Sequence, residues 1–283
     1  MKFVKMHGLG NDFILMEDLE EKFEFSVSAI KKICHRNFGV GADGLVLLQP
    51  SHQGDFRMRI FNHDGTEAEM CGNALRCVAR YVYEKGLTNR LEVNIQTMKG
   101  LNMAKIFLQD NRVSSIQINM GEPVLESMLI PAQGENRLIL MEELVLEGGL
   151  TFKISALSMG NPHCVIFVED CEKMPLEKIG PQLENHPLFP QKTNVEFVEI
   201  LNEREIKMTV WERGAGVTLA CGSGACASVV ASVLNNLTQR EVTVNLPGGQ
   251  LEVFWDDKDN SLIMKGPAVE VFSGQISDEL INE

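Results

Sequence analysis

Two short segments carry residues suited to acid–base chemistry, and they are written alike. The first is Met70-Cys71-Gly72-Asn73-Ala74-Leu75-Arg76-Cys77. The second is Ala220-Cys221-Gly222-Ser223-Gly224-Ala225-Cys226. Each places a Cys-Gly pair and a short polar residue at the head of a helical pattern. A helix N-terminus offers unpaired backbone N–H groups and a partial positive charge, which favour a thiolate over a thiol. A lowered thiol pKa is therefore expected at both positions. The same amides form a ready site for a carboxylate, and Gly72 and Gly222 leave them uncovered. Asn73 and Ser223 add short donors. Two such turns would hold a carboxylate whose neighbouring carbon bears a weakly acidic proton. One sulfur would remove that proton as a base, and the other would return one as an acid on the opposite face. Donors aimed at charge that develops in the transition state contribute about 3 kcal/mol each. Such a two-thiol reaction needs no cofactor.

The other cysteines are weighed differently. A lone Cys is more often inert packing than a catalytic group, and Cys34, Cys77, Cys164, Cys171 and Cys226 are read that way. The Cys71/Cys77 and Cys221/Cys226 spacings are not those of a zinc site, so no metal is expected. Gly8-Leu9-Gly10 and Gly39-Val40-Gly41 do not open a dinucleotide-binding helix.

The surroundings of the two segments repeat as well. At an offset of 150 residues, Gly10-Asn11 falls on Gly160-Asn161, Asp43-Gly44-Leu45 on Thr193-Asn194-Val195, and Met58 to Phe61 on Met208 to Trp211. Asn62-His63 falls on Glu212-Arg213, and Gly100 follows on Gly249 at an offset of 149. Matches in one order with almost no drift indicate duplication. Each half reads as strands closing on one helix. In the first half these are Lys2 to Met16, Leu45–Leu48, Phe56–Phe61, a helix from Cys71 to before Gly86, then strands at 91–95, 103–108 and 113–120. In the second they are Phe152–Met159, His163–Glu169, Val195–Leu201, Ile206–Trp211, a helix Cys221–Leu237, then strands near 242–246, 251–255, 261–265 and 268–272. The second helix is small and apolar almost all round, so it should be deeply buried. Ser26 caps a further helix through Cys34. The stretch from Gly121 to Gly149 has no clear period. The expected class is α/β of the α+β type. It has two pseudo-symmetric halves, each a mainly antiparallel sheet around a central helix, with the active site in the cleft between them.

Composition narrows the partners. The chain has 283 residues, 26 Lys+Arg against 39 Asp+Glu, and a formal net charge of −13. That balance disfavours nucleic acid and anionic membrane surfaces. No secretory h-region opens the sequence and no run is long enough for a membrane span. A cytoplasmic protein with reduced thiols is the expectation.

Taken together, the motifs resemble those of the diaminopimelate epimerase family of cofactor-independent amino-acid epimerases. The resemblance rests on His7-Gly8-Leu9-Gly10-Asn11-Asp12-Phe13, Phe61 to Gly65, Met70 to Asn73, Met159-Gly160-Asn161-Pro162-His163, Thr193-Asn194-Val195, Trp211 to Gly214 and Ala220 to Cys226, which span nearly the whole chain. It implies interconversion of LL- and meso-2,6-diaminopimelate, for lysine and peptidoglycan precursors, with Cys71 and Cys221 as the two acid–base groups. It implies that Gly72, Asn73, Gly222 and Ser223 hold the reacting carboxylate. Asn11, Asn62, Asn161, Asn194, Glu212 and Arg213 would hold the rest of the substrate, and His163 and Glu212 would tune the catalytic site. A carboxylate for an ammonium and a guanidinium for a distal carboxylate suit a diamino diacid. The resemblance also implies a homodimer, and a last strand returned to the first half, giving domains 1–122 plus 267–283 and 123–266. Three positions depart from the family pattern: Gly44 stands where many members have Gln, Val217 where many have Glu, and Ala74 where Gly is common. Two other readings compete. A proline racemase relative would have no use for Glu212 and Arg213, because proline lacks a distal charged end. A thiol sensor would not need polar residues gathered at both cysteine turns.

Overall fold

The computed structural model describes residues 1–277 and 279–282. Contacts divide the chain into Met1–Asn119 with Lys265–Glu283 as one unit, and Met120–Met264 as the other.

The first unit begins with β1 (Lys2–Gly8) and β2 (Asn11–Glu17), joined by a tight turn at Leu9 and Gly10. Gly10 sits at φ +88°, a left-handed conformation that glycine adopts without the Cβ clash. Helix α1 (Val27–Cys34) is capped by Ser26, whose hydroxyl accepts from Ala29 N. Strands β3 (Gly44–Gln49), β4 (Phe56–Asn62) and the two-residue β5 (Glu67–Ala68) precede α2 (Gly72–Glu84). Then come β6 (Glu92–Thr97), β7 (Gly100–Gln109) and β8 (Arg112–Asn119). The strand Val269–Gln275 pairs antiparallel with β1. From there the ladder runs β1–β2 antiparallel, β2–β3 parallel, β3–β4 antiparallel, β4–β6 parallel, then β6–β7 and β7–β8 antiparallel. Strands β1, β2, β4, β6, β7 and β8 all touch α2, so the sheet wraps the helix. Leu75, Cys77, Val78, Ala79 and Val82 are buried there, together with the charged Arg76. Each large aliphatic side chain so buried contributes about 1.5–3 kcal/mol. Helix α1 packs on a separate cluster with Phe3, Ile14, Met16, Leu45 and Leu47.

The second unit repeats the plan. It holds β9 (Ile139–Val145), β10 (Thr151–Ser158), β11 (Pro162–Phe167), α3 (Leu176–Glu184), β12 (Asn194–Asn202), β13 (Glu205–Glu212) and β14 (Gly216–Thr218). Helix α4 (Gly222–Leu234), β15 (Glu241–Leu246), β16 (Gly249–Trp255) and β17 (Leu262–Gly266) follow; β18 (Val269–Gln275) and α5 (Glu279–Asn282) then belong to the first unit. The ladder is β9–β10–β11 antiparallel, β11–β12 parallel, β12–β13 antiparallel, β13–β15 parallel and β15–β16 antiparallel. The alternation of one parallel pair, one antiparallel pair and one parallel pair is that of the first unit. Even the turn is copied, with Gly160 at φ +96°.

Helix α4 touches β10, β11, β12, β13 and β16, and every residue from Gly224 to Ser232 is buried. Its small side chains allow that enclosure. Ser228 and Ser232 donate to the carbonyls four residues back, at 2.8 and 2.7 Å, so no hydroxyl is stranded. The helix ends at Leu234 rather than Leu237. Asn236 takes φ +58°, and Leu237 N turns back to Ser232 O. The stretch without clear period between Gly121 and Gly149 contains β9 and a single 3₁₀ turn at Ser127–Leu129.

Candidate active site

In the first unit, Cys71 is the N-cap of α2, with extended backbone at φ −144° and ψ 119°. It is half-buried, and its thiol lies 3.9 Å from Asn11 Oδ1. Asn11 is the residue that follows the β1–β2 turn, so that turn delivers it to the helix N-terminus. Asn73 donates to the same Asn11 oxygen at 2.9 Å. Arg76, one turn further along α2, donates to Asn73 Oδ1 at 2.8 Å and through Nε to Pro267 O at 3.1 Å. The close packing leaves no room at Gly8, where a Cβ would meet Arg76 Nη2 at 2.8 Å and Asn73 Cβ at 3.2 Å.

Asn11 is held from its other end as well, since its Nδ2 donates to Asp43 Oδ2 at 2.9 Å. Asp43 belongs to a charged cluster with Asp12, Arg36 and Lys5. Arg36 spans both Asp12 oxygens at 3.0 and 2.9 Å, and Lys5 lies 2.7 Å from Asp12. Burial pushes the Asp12 carboxyl up, but the hydrogen bonds from Arg36 and Lys5 outweigh it and bring the pKa down to about 2. Burial alone dominates at the neighbouring Cys34, whose thiol is pushed up to about 12. Asn62 is exposed at the end of β4 and donates to Thr66 Oγ1 at 3.0 Å. It pairs across the ladder with Gly44. A Cβ at Gly44 would stand 2.6 Å from Phe61 O, so a side chain there needs the β3–β4 pair to open.

The second unit builds its cysteine turn from different chemistry. Cys221 caps α4, and its sulfur accepts from Gly224 N at 3.4 Å and lies 3.6 Å from Ser223 Oγ. Asn161, which follows the copied turn, donates to Ser223 Oγ at 3.4 Å. Its carbonyl oxygen meets His163 Nε2 at 3.0 Å, and His163 Nδ1 meets Glu196 Oε1 at 2.7 Å. His163 and Glu196 are fully buried. Glu212, at the end of β13, accepts from Thr218 Oγ1 and from the Cys221 thiol. Burial raises the Glu212 pKa, and the nearby Glu196 charge adds to that rise.

Cys221 departs from the sequence expectation of a lowered thiol pKa. Its pKa is raised well above the ordinary value, first by burial and then by the Glu212 and Glu196 carboxylates. The Gly224 amide and the Ser223 hydroxyl pull the other way and do not compensate. A helix N-terminus acts as a thiolate site only when the sulfur keeps some access to water or meets a cation. Cys221 is 5% exposed and faces two carboxylates, so at neutral pH it carries its proton.

Asn194 and Arg213 meet beside the end of β13. Asn194 is buried, donates to Pro162 O at 2.8 Å and accepts from Arg213 N at 2.9 Å. It therefore ties the Asn161 loop to the Glu212–Arg213 turn. Arg213 is exposed, with Nη1 on Gln191 O at 3.2 Å. Asn73 spends both ends of its amide on Asn11 and Arg76. Val217 is 50% exposed, and its neighbour Thr218 supplies the hydroxyl on Glu212.

Four contributors had no sequence signal that marked them. Arg76 reads as an ordinary helix residue. Glu196 sits inside an apolar strand, and Lys5 inside an alternating one. Glu184, at the end of α3, accepts from Trp211 Nε1 at 2.7 Å and Gly214 N at 3.1 Å, and so clamps the turn that carries Glu212 and Arg213.

A duplicated strand-wrapped helix with a cysteine at each helix head places the protein in a fold shared by racemases and isomerases. Two solved structures share it at low identity. A probable proline racemase from Agrobacterium radiobacter superposes with a TM-score of 0.73 at 12% identity, covering 99% of this chain and 94% of that one. A PhzF-family phenazine biosynthesis protein from Bacillus anthracis superposes with a TM-score of 0.71 at 16% identity, covering 98% and 99%. Sequence resolves the particular family. The diaminopimelate epimerase family profile matches residues 3–126 and 155–271. A diaminopimelate epimerase of Pelotomaculum thermopropionicum is 52% identical over 278 residues, 97% of this chain and 98% of the relative. One from Acetivibrio thermocellus is 48% identical over 276 residues, 98% of each. The chain belongs to the diaminopimelate epimerase family, and its activity is that isomerase activity.

Proposed function

We propose that the chain interconverts LL- and meso-2,6-diaminopimelate by a two-base exchange at one α-carbon, with Cys71 acting on one face and Cys221 on the other. The observation that carries this reading is the pairing of each cysteine cap with its own copy of the turn asparagine. Cys71 meets Asn11 directly, and Cys221 meets Asn161 through Ser223. The α-proton of an amino acid is barely acidic, so the developing carboxylate charge needs fixed donors. The amides at Gly72–Asn73 and Gly222–Ser223 supply them without reorganisation.

The two thiols have unequal tasks. Cys221 carries a proton at rest and acts as the acid when Cys71 is the base. In the reverse direction the roles exchange. Glu212 accepts from the Cys221 thiol and can pair with a substrate ammonium, while the exposed Arg213 offers its fork to the distal carboxylate. Asn11, Asn62, Asn161 and Asn194 complete the substrate contacts or hold the loops that make them, and His163 tunes the Cys221 side. The reaction draws on no cofactor. A homodimer working in the cytoplasm completes the reading. No helix among the described residues is long and apolar enough to cross a membrane.

A substrate panel tests the assignment. LL- and meso-diaminopimelate should interconvert without added cofactor, while L-lysine, which lacks the distal carboxylate, and proline, which lacks a distal charged end, should not racemise. Turnover of proline at a comparable rate would place the chain with the racemases instead.

A further inference from the structure

The buried pair His163–Glu196 poses a charge problem that the two cysteines do not answer. Glu196 is fully buried on β12, and its Oε2 has no hydrogen-bond partner among the described residues. Among the described residues no lysine or arginine forms an ion pair with it, and its Oε1 meets His163 Nδ1 at 2.7 Å. A carboxylate in such a place needs a cation or a proton of its own. The other face of the imidazole meets a second acceptor, Asn161 Oδ1, at 3.0 Å. A neutral imidazole has one N–H and cannot donate to both.

We propose that Glu196 is a positioning residue that holds His163 as an imidazolium and thereby fixes the direction of a hydrogen-bond relay ending on Cys221. The carboxylate only accepts. His163 donates from Nδ1 to Glu196 and from Nε2 to Asn161 Oδ1. That locks the Asn161 amide with its NH2 toward Ser223 Oγ, at 3.4 Å. Ser223 then accepts from Asn161, and its own hydroxyl proton is released toward the Cys221 sulfur at 3.6 Å. Whenever Cys221 has given up its proton, that hydroxyl is a donor to the thiolate. With a neutral His163 the order reverses. The bare Nε2 would draw the Asn161 NH2, the amide would turn, and Ser223 would donate to Asn161 and leave the sulfur without it. Geometry also ties Glu196 to the helix head, since a Cβ at Gly224 would stand 2.7 Å from Glu196 Oε1 and 3.2 Å from Cys221 Sγ.

The charged and titratable groups around the imidazole are few. Glu196 faces it from β12, Glu212 from the end of β13, and Cys221 from the head of α4. Cys164, beside it on β11, feels Glu196 and stays a neutral thiol.

This inference rests on Cys221 being one of the two acid–base groups, but its first test does not use activity. Ring 15N shifts of His163 in the wild-type protein without substrate should show both nitrogens protonated at neutral pH. A singly protonated ring at pH 7 overturns the proposal. The second test is Glu196→Gln, which keeps shape and one hydrogen bond. Its His163 should show one protonated ring nitrogen at the same pH, and kcat should fall roughly tenfold as pH rises from about 5.5 to 8, with KM changed less than about threefold. An unchanged pH profile with an intact fold overturns the relay. Should that variant not fold, the wild-type ring shifts still decide. An imidazolium in the wild type, with Cys221→Ala still active, would overturn the Cys221 assignment and with it the relay's purpose.

Discussion

The two halves build the same cysteine-capped helix head and surround it with opposite charge. Around Cys71, the turn asparagine leads through Asn73 to a buried cation, Arg76. Around Cys221, the copied asparagine leads through His163 to a buried anion, Glu196, and a second carboxylate, Glu212, accepts from the thiol. At the duplicated register, Asn73 has become Ser223, Arg76 has become Cys226, and Asn62 has become Glu212. Duplication supplies two helix heads. Divergence of the residues packed around each head sets the charge that each sulfur faces, and burial with Glu212 and Glu196 keeps the proton on Cys221.

Removing either sulfur is the harshest way to break the comparison. Cys71→Ala and Cys221→Ala should each lower kcat by about 10³-fold or more, because each takes away an acid in one direction and a base in the other. Chiral chromatography of the two isomers measures this, and strong loss from only one variant would mean a single-base enzyme.

A subtler change sharpens it. Glu212→Gln removes one of the anions that raise the Cys221 pKa, so that pKa should drop. The thiolate fraction at a given neutral pH then rises, and alkylation of Cys221 should shift to lower pH even as kcat/KM for diaminopimelate falls by about 10²-fold. Faster alkylation with slower catalysis is the combination expected of a carboxylate that both keeps the proton on sulfur and binds substrate.

The first half answers to stability instead. Asp12 has a depressed pKa of about 2, so its contribution is present above its unfolded value near 4 and is lost as pH falls from about 4 to 2. Asp12→Asn should cost about 2 kcal/mol at pH 7 and flatten the acid limb of a denaturation profile over that window. The equivalent position in the second half is Pro162, so no matching acid sensitivity should arise there. The mildest test is Ala74→Gly, at a buried position in the first turn of α2. It should cost about 1 kcal/mol or less and leave kcat unchanged.

Much of this arrangement was written plainly in the chain. The copied Gly-Asn turns, the two Cys-Gly helix heads and the strand order around them are local patterns, and local patterns survive in sequence. The diaminopimelate epimerase resemblance drawn from those motifs agrees with the full-length relatives and with the family match. Electrostatics were less legible, because charge effects depend on burial that spacing does not reveal. Glu196 looks like the polar side of a strand, yet β12 is covered on both faces from Asn194 to Val198. Arg76 looks solvent-facing beside Cys77, yet the sheet closes over it. The same blindness explains the Cys221 thiol. The helix-head amide does act on the sulfur, but burial overrules it, aided by two carboxylates that arrive from β12 and β13, far along the chain. The end of α4 was misplaced for a more local reason, since Asn236 in a left-handed turn stops a helix that apolar content alone would continue.

The central claim is that two different sulfurs serve the two faces of one carbon. Starting from pure LL-diaminopimelate in D2O, the initial meso product should carry deuterium at the inverted α-carbon while the remaining LL substrate stays unlabelled. Starting from the meso isomer, the LL product should be labelled in the same way. Deuterium appearing in recovered substrate as fast as in product, or the original proton retained in the product, would mean that one base serves both faces and would contradict the account.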